Sequence, residues 1–146
     1  MIVDDAFVVG APIDRVWPLL NDVPRVAGCI PNAEVTEIVD AVTYRAKVAV
    51  KVGPVSVAYR ATITVESRDD ATHTARLRVQ GDELRGRGGV RATIVSHAEA
   101  VEGATRVSLH ADAQISGIIA SVGGRLIAGV AKRTVAEFAA NLAQLV

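Results

Sequence analysis

Few residues in this 146-residue chain are of a type that does covalent chemistry. Cys29 is the single cysteine, and the three histidines, His73, His97 and His110, are scattered along the chain. A nucleophilic cysteine needs a base and a group that stabilises its thiolate. Nothing in the spacing brings a histidine to Cys29, so a small packed cysteine is the expectation. The histidines show no ligand spacing, and no metal site is expected. Gly123-Gly124-Arg125 lacks the Gly-Lys-Ser/Thr that a phosphate loop requires. Arg85-Gly86-Arg87-Gly88-Gly89 is one short Arg-Gly pattern without stacking aromatics, which argues against nucleic acid as a partner. The remaining candidate is Tyr59. It falls on the apolar face of a strand, where a buried phenol must direct its hydroxyl somewhere.

The elements that would position Tyr59 follow from periodicity. Ile2 to Val9 reads as a strand. Pro12 suits a first helical turn, and Val16, Trp17, Leu19 and Leu20 give a short apolar face, with Pro18 expected near the helix start. Asn21-Asp22 stops that helix and caps a second. A run of strands follows from Glu34. In Tyr44–Val52 and Val55–Glu66, Tyr44, Ala46, Val48, Val50 and Val52, then Val55, Val57, Tyr59, Ala61, Ile63 and Val65, alternate with polar or small residues. Leu77 and Val79, Val90, Ala92 and Ile94, and Val107, Leu109, Ala111, Ala113 and Ile115 continue the pattern, with Gly81–Gly89 read as a hairpin tip or a bulged strand start.

The last stretch, Ile118 to Val146, reads as one long amphipathic helix. Ile127, Ala131, Thr134, Phe138, Leu142 and Leu145 recur every three or four residues, with Leu126 and Val130 widening the stripe. Gly117, Gly123, Gly124 and Gly129 stand where alanine would favour a helix by roughly 1 kcal/mol each. Their expected use is to leave room near a ligand or to permit opening.

One apolar face per strand implies an antiparallel sheet covered on one side. The fold class is therefore α+β: a curved antiparallel sheet of about seven strands around a long C-terminal helix, with two short helices after the first strand, in a single domain over residues 1–146. Space left between sheet and helix would be a pocket, with Val48, Val50, Val57, Tyr59, Ile63, Leu77, Val79, Val90, Ala92, Leu109, Leu126 and Val130 as the candidate ligand-binding residues. An ordinary filled core would show the same alternation. Trp17 is a candidate for the entrance, or for plain packing.

Formal net charge is zero, so bulk affinity for nucleic acid is not indicated. The charge is uneven: residues 41–91 hold ten bases against five acids. Arg45, Lys47, Lys51, Arg60, Arg76, Arg78 and Arg91 share the predicted outer face, either solvated or docking anionic lipid or an acidic partner. No basic leader, spanning segment or disulfide pair is evident, which suits a cytoplasmic protein.

Three segments carry a family resemblance. APIDRVWPLLNDVPRVAGCIPNAE (11–34), YRAKVAVKVGPVSVAYRATITV (44–65) and ADAQISGIIASVGGRLIAGVAKR (111–133) resemble the carbon monoxide dehydrogenase G-subunit family, within the START-like helix-grip (SRPBCC) superfamily. Asn32 stands where that family has glycine. The resemblance implies a non-catalytic accessory protein with no covalently bound cofactor. It would bind a quinone or other lipid-like ligand in a hydrophobic cavity and link a molybdenum CO dehydrogenase-type enzyme to the membrane by peripheral contact. The alternatives are an enzyme of the polyketide cyclase type and a docking module with a filled core.

Overall fold

The computed structural model describes residues 1–146. Strand β1 (Ile2–Val9) is followed by two short helices, α1 (Ile13–Leu20) and α2 (Val23–Ala27). Strands β2 (Ala33–Ile38), β3 (Thr43–Val52), β4 (Val55–Asp69), β5 (Thr74–Glu83), β6 (Gly89–Val101) and β7 (Ala104–Ile115) come next, then a 3-10 turn (Ile119–Val122) and helix α3 (Gly124–Ala143). The strands form one sheet in the order β1-β7-β6-β5-β4-β3-β2. Every neighbouring pair is antiparallel. β1 thus leaves the sheet for the two short helices and is closed against the last strand. This is the expected α+β, helix-grip arrangement.

The short helices form where the sequence signals them. Asp22 caps α2, its carboxylate accepting from the Arg25 N–H. Pro18 is not near the start of α1 but inside it, where its missing N–H leaves the Asp14 carbonyl without an intrahelical donor. Asn32 adopts φ +59°, a left-handed turn that asparagine tolerates better than most residues without being glycine.

The predicted single C-terminal helix is interrupted. Gly123 sits at φ +96° and ψ 151°, which ends the 3-10 turn and starts α3. The glycine is a joint between two elements, because a residue with a Cβ would be strained there. Gly123, Gly124 and Gly129 each face open space. All three are exposed, and none lines the space between sheet and helix.

Packing is concentrated in two places. Near the middle and C-terminal part of α3, Phe138 and Leu142 join Val9, Val16, Leu19, Cys29 and Val107. Burying Phe138 and Leu142 stabilises by roughly 1.5–3 kcal/mol each. The Asn141 amide adds a hydrogen bond to the Cys29 carbonyl at 2.9 Å. Leu145, on the same predicted stripe, is exposed. At the other end Val52, Tyr59 and Ile119 cluster, with Ile127 and Val130 of α3 against them.

That second end is closed by a contact between glycines. The Glu83 carboxylate turns onto the Gly88 N–H. A Cβ on Gly88 would lie 2.5 Å from the Gly117 Cα, and one on Gly117 would lie 2.7 Å from the Gly88 Cα. Gly117 is also at φ +90°. Backbone cannot yield as a flexible side chain would. Gly88→Ala and Gly117→Ala should each destabilise by about 1–3 kcal/mol, whereas Gly129→Ala, exposed within α3, should be neutral or stabilise by up to about 1 kcal/mol. Chemical denaturation of the three variants measures this ordering, and equal effects would contradict it.

Candidate functional site

Between the two packed ends the sheet and α3 do not meet, and a cavity of about 430 Å³ remains. Its wall is built by the inner-face residues of six strands and by one side of the C-terminal segment. Val50 and Val52 of β3, Tyr59 of β4, Leu77 of β5, Val90 and Ile94 of β6, and Leu109, Ala111, Ala113 and Ile115 of β7 supply one side. Ile119, Ile127, Val130, Ala131, Thr134, Val135 and Phe138 supply the other. Of 24 lining residues 21 are hydrophobic, so the interior offers a guest very few hydrogen bonds.

Six of the predicted ligand-binding residues line this space: Val50, Tyr59, Leu77, Val90, Leu109 and Val130. Six do not. Val57 is spent in the Val52–Tyr59–Ile119 cluster. Val48 borders a shallow groove beside β2 instead. Ile63, Val79 and Ala92 pair in one row across β4, β5 and β6, on the predicted face but not in the wall. Alternation reports which face a residue takes, not which side chains on that face reach an internal space. Leu126 is not in the wall either: it is 49% exposed, and its Cδ1 lies toward Gly53 in the β3–β4 turn.

Tyr59 carries the one phenol among the lining residues. It is 5% exposed, and its hydroxyl has no hydrogen-bond partner. Burial lifts the phenol above its ordinary pKa, and the charge of Glu83 adds to the lift. Glu83 is its cross-strand partner, but that carboxylate is engaged by Gly88. A buried hydroxyl left unpaired costs about 1–3 kcal/mol, and the chain itself supplies no acceptor for it.

Two polar lining residues escape the sequence reading, Asp5 and Ser96. Both were available from alternation. In IVDDAFVV only one of two successive acids can face out; Asp4 does, against His110, which leaves Asp5 inside with Val3. Ser96 extends the Val90, Ala92, Ile94 series by one step. Asp5 pairs with Leu109, which pairs with Ser96, so they occupy one row at the end of the cavity away from Tyr59. The Asp5 carboxylate accepts from the Ala6 N–H at 2.8 Å.

The other candidates resolve plainly. Trp17 packs against Ala75 and Ala98, donates its indole N–H to Asp70 at 2.9 Å, and does not line the cavity. The Trp17 bond, and then Arg68, hold the Asp70 carboxyl below its usual range. Cys29 is buried, and burial raises its thiol pKa against a weaker opposing effect of Arg25, which makes it a poor nucleophile. His110 is outside, beside Asp4, and His97 does not line the cavity. No group of three potential ligand side chains could hold a metal ion. On the outer face Arg45 pairs with Glu37, and Arg76 and Arg78 with Glu66. Lys47 and Arg60 are directly opposed without such a partner.

The family profile described as the carbon monoxide dehydrogenase G-subunit (CoxG) matches residues 6–146. The chain belongs to the CoxG family. None of the curated proteins it was compared with matches it. Among solved structures, a conserved protein from Geobacillus kaustophilus superposes with a TM-score of 0.88 at 23% identity, over 99% of this chain and 93% of that one. The Zhui aromatase/cyclase from a Streptomyces species gives 0.65 at 17% identity, over 99% and 92%. A START superfamily protein from Mycobacterium smegmatis gives 0.63 at 13%, over 99% and 96%. These likenesses establish the START-like fold. In this CoxG chain no helix is long and apolar enough to cross a membrane.

The raised phenol has a measurable consequence. Because the folded state holds the Tyr59 proton more tightly than the unfolded chain does, its contribution is intact below pH ~10 and is lost as pH rises beyond that value. The Tyr59→Phe protein should therefore lose less stability between pH 9 and 11 than the parent, while matching or exceeding it at neutral pH, where the unpaired hydroxyl is removed. Denaturation midpoints across that range check both the sign and the comparison.

Proposed function

We propose that this CoxG-family chain is a non-catalytic accessory protein that carries a lipid-like ligand, a membrane quinone, in its cavity. The carrying observation is an almost wholly apolar cavity of about 430 Å³ lined in part by Tyr59, whose buried hydroxyl has no partner within the chain. A quinone matches that wall: a flat apolar ring with carbonyl oxygens that accept, and an apolar tail. The phenol donates to one carbonyl, and the valine, leucine and alanine side chains enclose the rest.

The apolar wall supports an occupant: an apolar guest filling the space of about 430 Å³ removes that wall from contact with water. A docking module with a filled core would not leave such a space.

The family membership supports the setting. The partner in this reading is a CO dehydrogenase-type molybdenum enzyme, and the chain works in the cytoplasm at the inner face of the membrane, linking enzyme and quinone by peripheral contact. No covalently bound cofactor is invoked. The similarity to an aromatase/cyclase favours the alternative of a polyketide cyclase-type enzyme, which would need acid–base groups converging on a substrate. The inward polar groups here are dispersed, with Tyr59 at one end of the cavity and Asp5 and Ser96 at the other.

Native mass spectrometry and uptake of a short-chain quinone analogue by the purified protein test the carrier reading. Tyr59→Phe should weaken binding by about 0.5–1.5 kcal/mol, the worth of one hydrogen bond. Ala111→Phe should block uptake with little loss of stability, because it fills existing space. If Ala111→Phe instead destabilises by about 1–3 kcal/mol, as overpacking a full core does, and the parent takes up no analogue, the reading is wrong.

A further inference from the structure

Apart from Tyr59, the polar residues of the cavity wall gather at one end. They are Asp5, Ser96 and Thr134. Asp5 of β1 and Ser96 of β6 flank Leu109 of β7 in one cross-strand row. Thr134 comes to the same level from α3. Phe7 stands edge-on to Phe138 with ring centroids 5.8 Å apart, and Val9 shares a core cluster with Leu142. β1 and α3 therefore run side by side in one direction. Two residues of strand rise about 6.6 Å and four of helix about 6 Å. One step back along both elements from the Phe7–Phe138 pair brings Thr134 to the level of Asp5.

These side chains are only partly used by the fold. One Asp5 oxygen accepts from the Ala6 N–H at 2.8 Å, and the Thr134 hydroxyl donates to the Val130 carbonyl at 2.8 Å. The second Asp5 oxygen and the Ser96 hydroxyl make no hydrogen bond within the chain. Asp5 is half-buried and in no ion pair. An inward charge on an edge strand can guard that edge, but Ser96 lies two strands further in and guards none. Withdrawing a carboxylate or hydroxyl from water is unfavourable unless something pairs with it.

The free groups at this end are chiefly acceptors. An ionised carboxylate only accepts, a serine hydroxyl does both, and Thr134, having given its proton to Val130, accepts. A hydroxyl on the guest fits them. A quinone carbonyl does not fit Asp5, since both only accept; its match is the Tyr59 phenol. The reduced form of the same ring, a hydroquinone, carries two hydroxyl donors. A carboxylate or phosphate head group would meet the like charge of Asp5 in a poorly solvated space. One head group does not span both ends: Tyr59 pairs with Glu83 and Ser96 with Ala75, roughly 25 Å apart along β5.

We propose that Asp5, Ser96 and Thr134 form a second head-group subsite that takes a hydroxyl of the guest, with Asp5 as its acceptor. The cavity thereby selects neutral hydroxyl-bearing lipids, a hydroquinone among them, over anionic ones. This deepens the carrier reading and rests on it for the presence of a lipid-like guest. The choice between head groups is a separate claim.

The test uses the full chain and four probes: 1-decanol, decanoate, and a short-chain quinone analogue in its oxidised form and, under anaerobic conditions, as the hydroquinone. Binding is read by calorimetry at pH 7, where free decanoate is ionised. The parent should favour decanol over decanoate and the hydroquinone over the quinone. Any apolar cavity disfavours an anion to some degree, so the deciding comparison is Asp5→Asn, which removes the charge and keeps the shape. It should narrow the decanol-to-decanoate ratio by roughly tenfold and reduce the preference for the hydroquinone. Ser96→Ala should weaken decanol by about two- to tenfold. Asp4→Asn removes the neighbouring outward charge and should leave both preferences as in the parent. Thermal melts confirm that each variant folds. If the parent binds the probes but Asp5→Asn and Ser96→Ala leave its preferences unchanged, the subsite is wrong and the carrier reading stands. A parent that binds decanol with the expected variant effects but neither ring form sinks the quinone carrier alone. One that binds none of the four probes overturns both.

Discussion

Everything in this molecule depends on a helix that is gripped by its sheet at the ends and not in the middle. Phe138 and Leu142 lock the far part of α3 into the core with Val9 and Val107. Ile119 and the Val52–Tyr59 pair close the near end. Seven antiparallel strands bend around the helix, and their inner faces carry alanine and valine where a filled interior would need larger groups. Aromatic residues make up only 3% of the chain, so few side chains could bridge the gap. The cavity is the arithmetic result of small residues on a curved sheet.

The polar groups follow the same logic. An antiparallel sheet satisfies its own backbone, so an interior of this kind needs no polar side chains for folding. Thr105, fully buried, meets that standard by donating to the Ala11 carbonyl at 2.8 Å. Tyr59 does not, and its lone hydroxyl therefore carries information about what the interior is for. Glu83 shows how a carboxylate near that hydroxyl is kept from answering it: three glycines, Gly86, Gly88 and Gly117, crowd the carboxylate closely enough that a side chain on any of them would collide with it.

Much of this was legible in the sequence. Strict alternation in Tyr44–Val52 and Val55–Val65 places Val50 and Tyr59 inward, as found, because a strand has one period and a one-sided sheet has one buried face. The same rule, carried one residue further in β6 and applied to the paired acids of β1, would also have found Ser96 and Asp5. Other features were not legible. Leu126 fits the helical stripe but falls outside the contact, since a stripe gives an angle around the axis and not the point where the helix leaves the sheet. Gly123 resembles any other helical glycine until its φ is known, so the break before α3 was invisible. Ile63, Val79 and Ala92 share the correct face, and a period of two says nothing about which members of a face border the space and which are covered by their neighbours.

The 3-10 turn couples opening to stability. It is four residues long and bracketed by Gly117 and Gly123, both in the left-handed half of backbone space. The first joint is clamped against Gly88, and the second has open space where a Cβ would stand. Between them Ile119 is buried against Val52 and Tyr59. Moving the turn therefore breaks no β ladder but exposes Ile119, so opening at this end and local stability are coupled through one side chain.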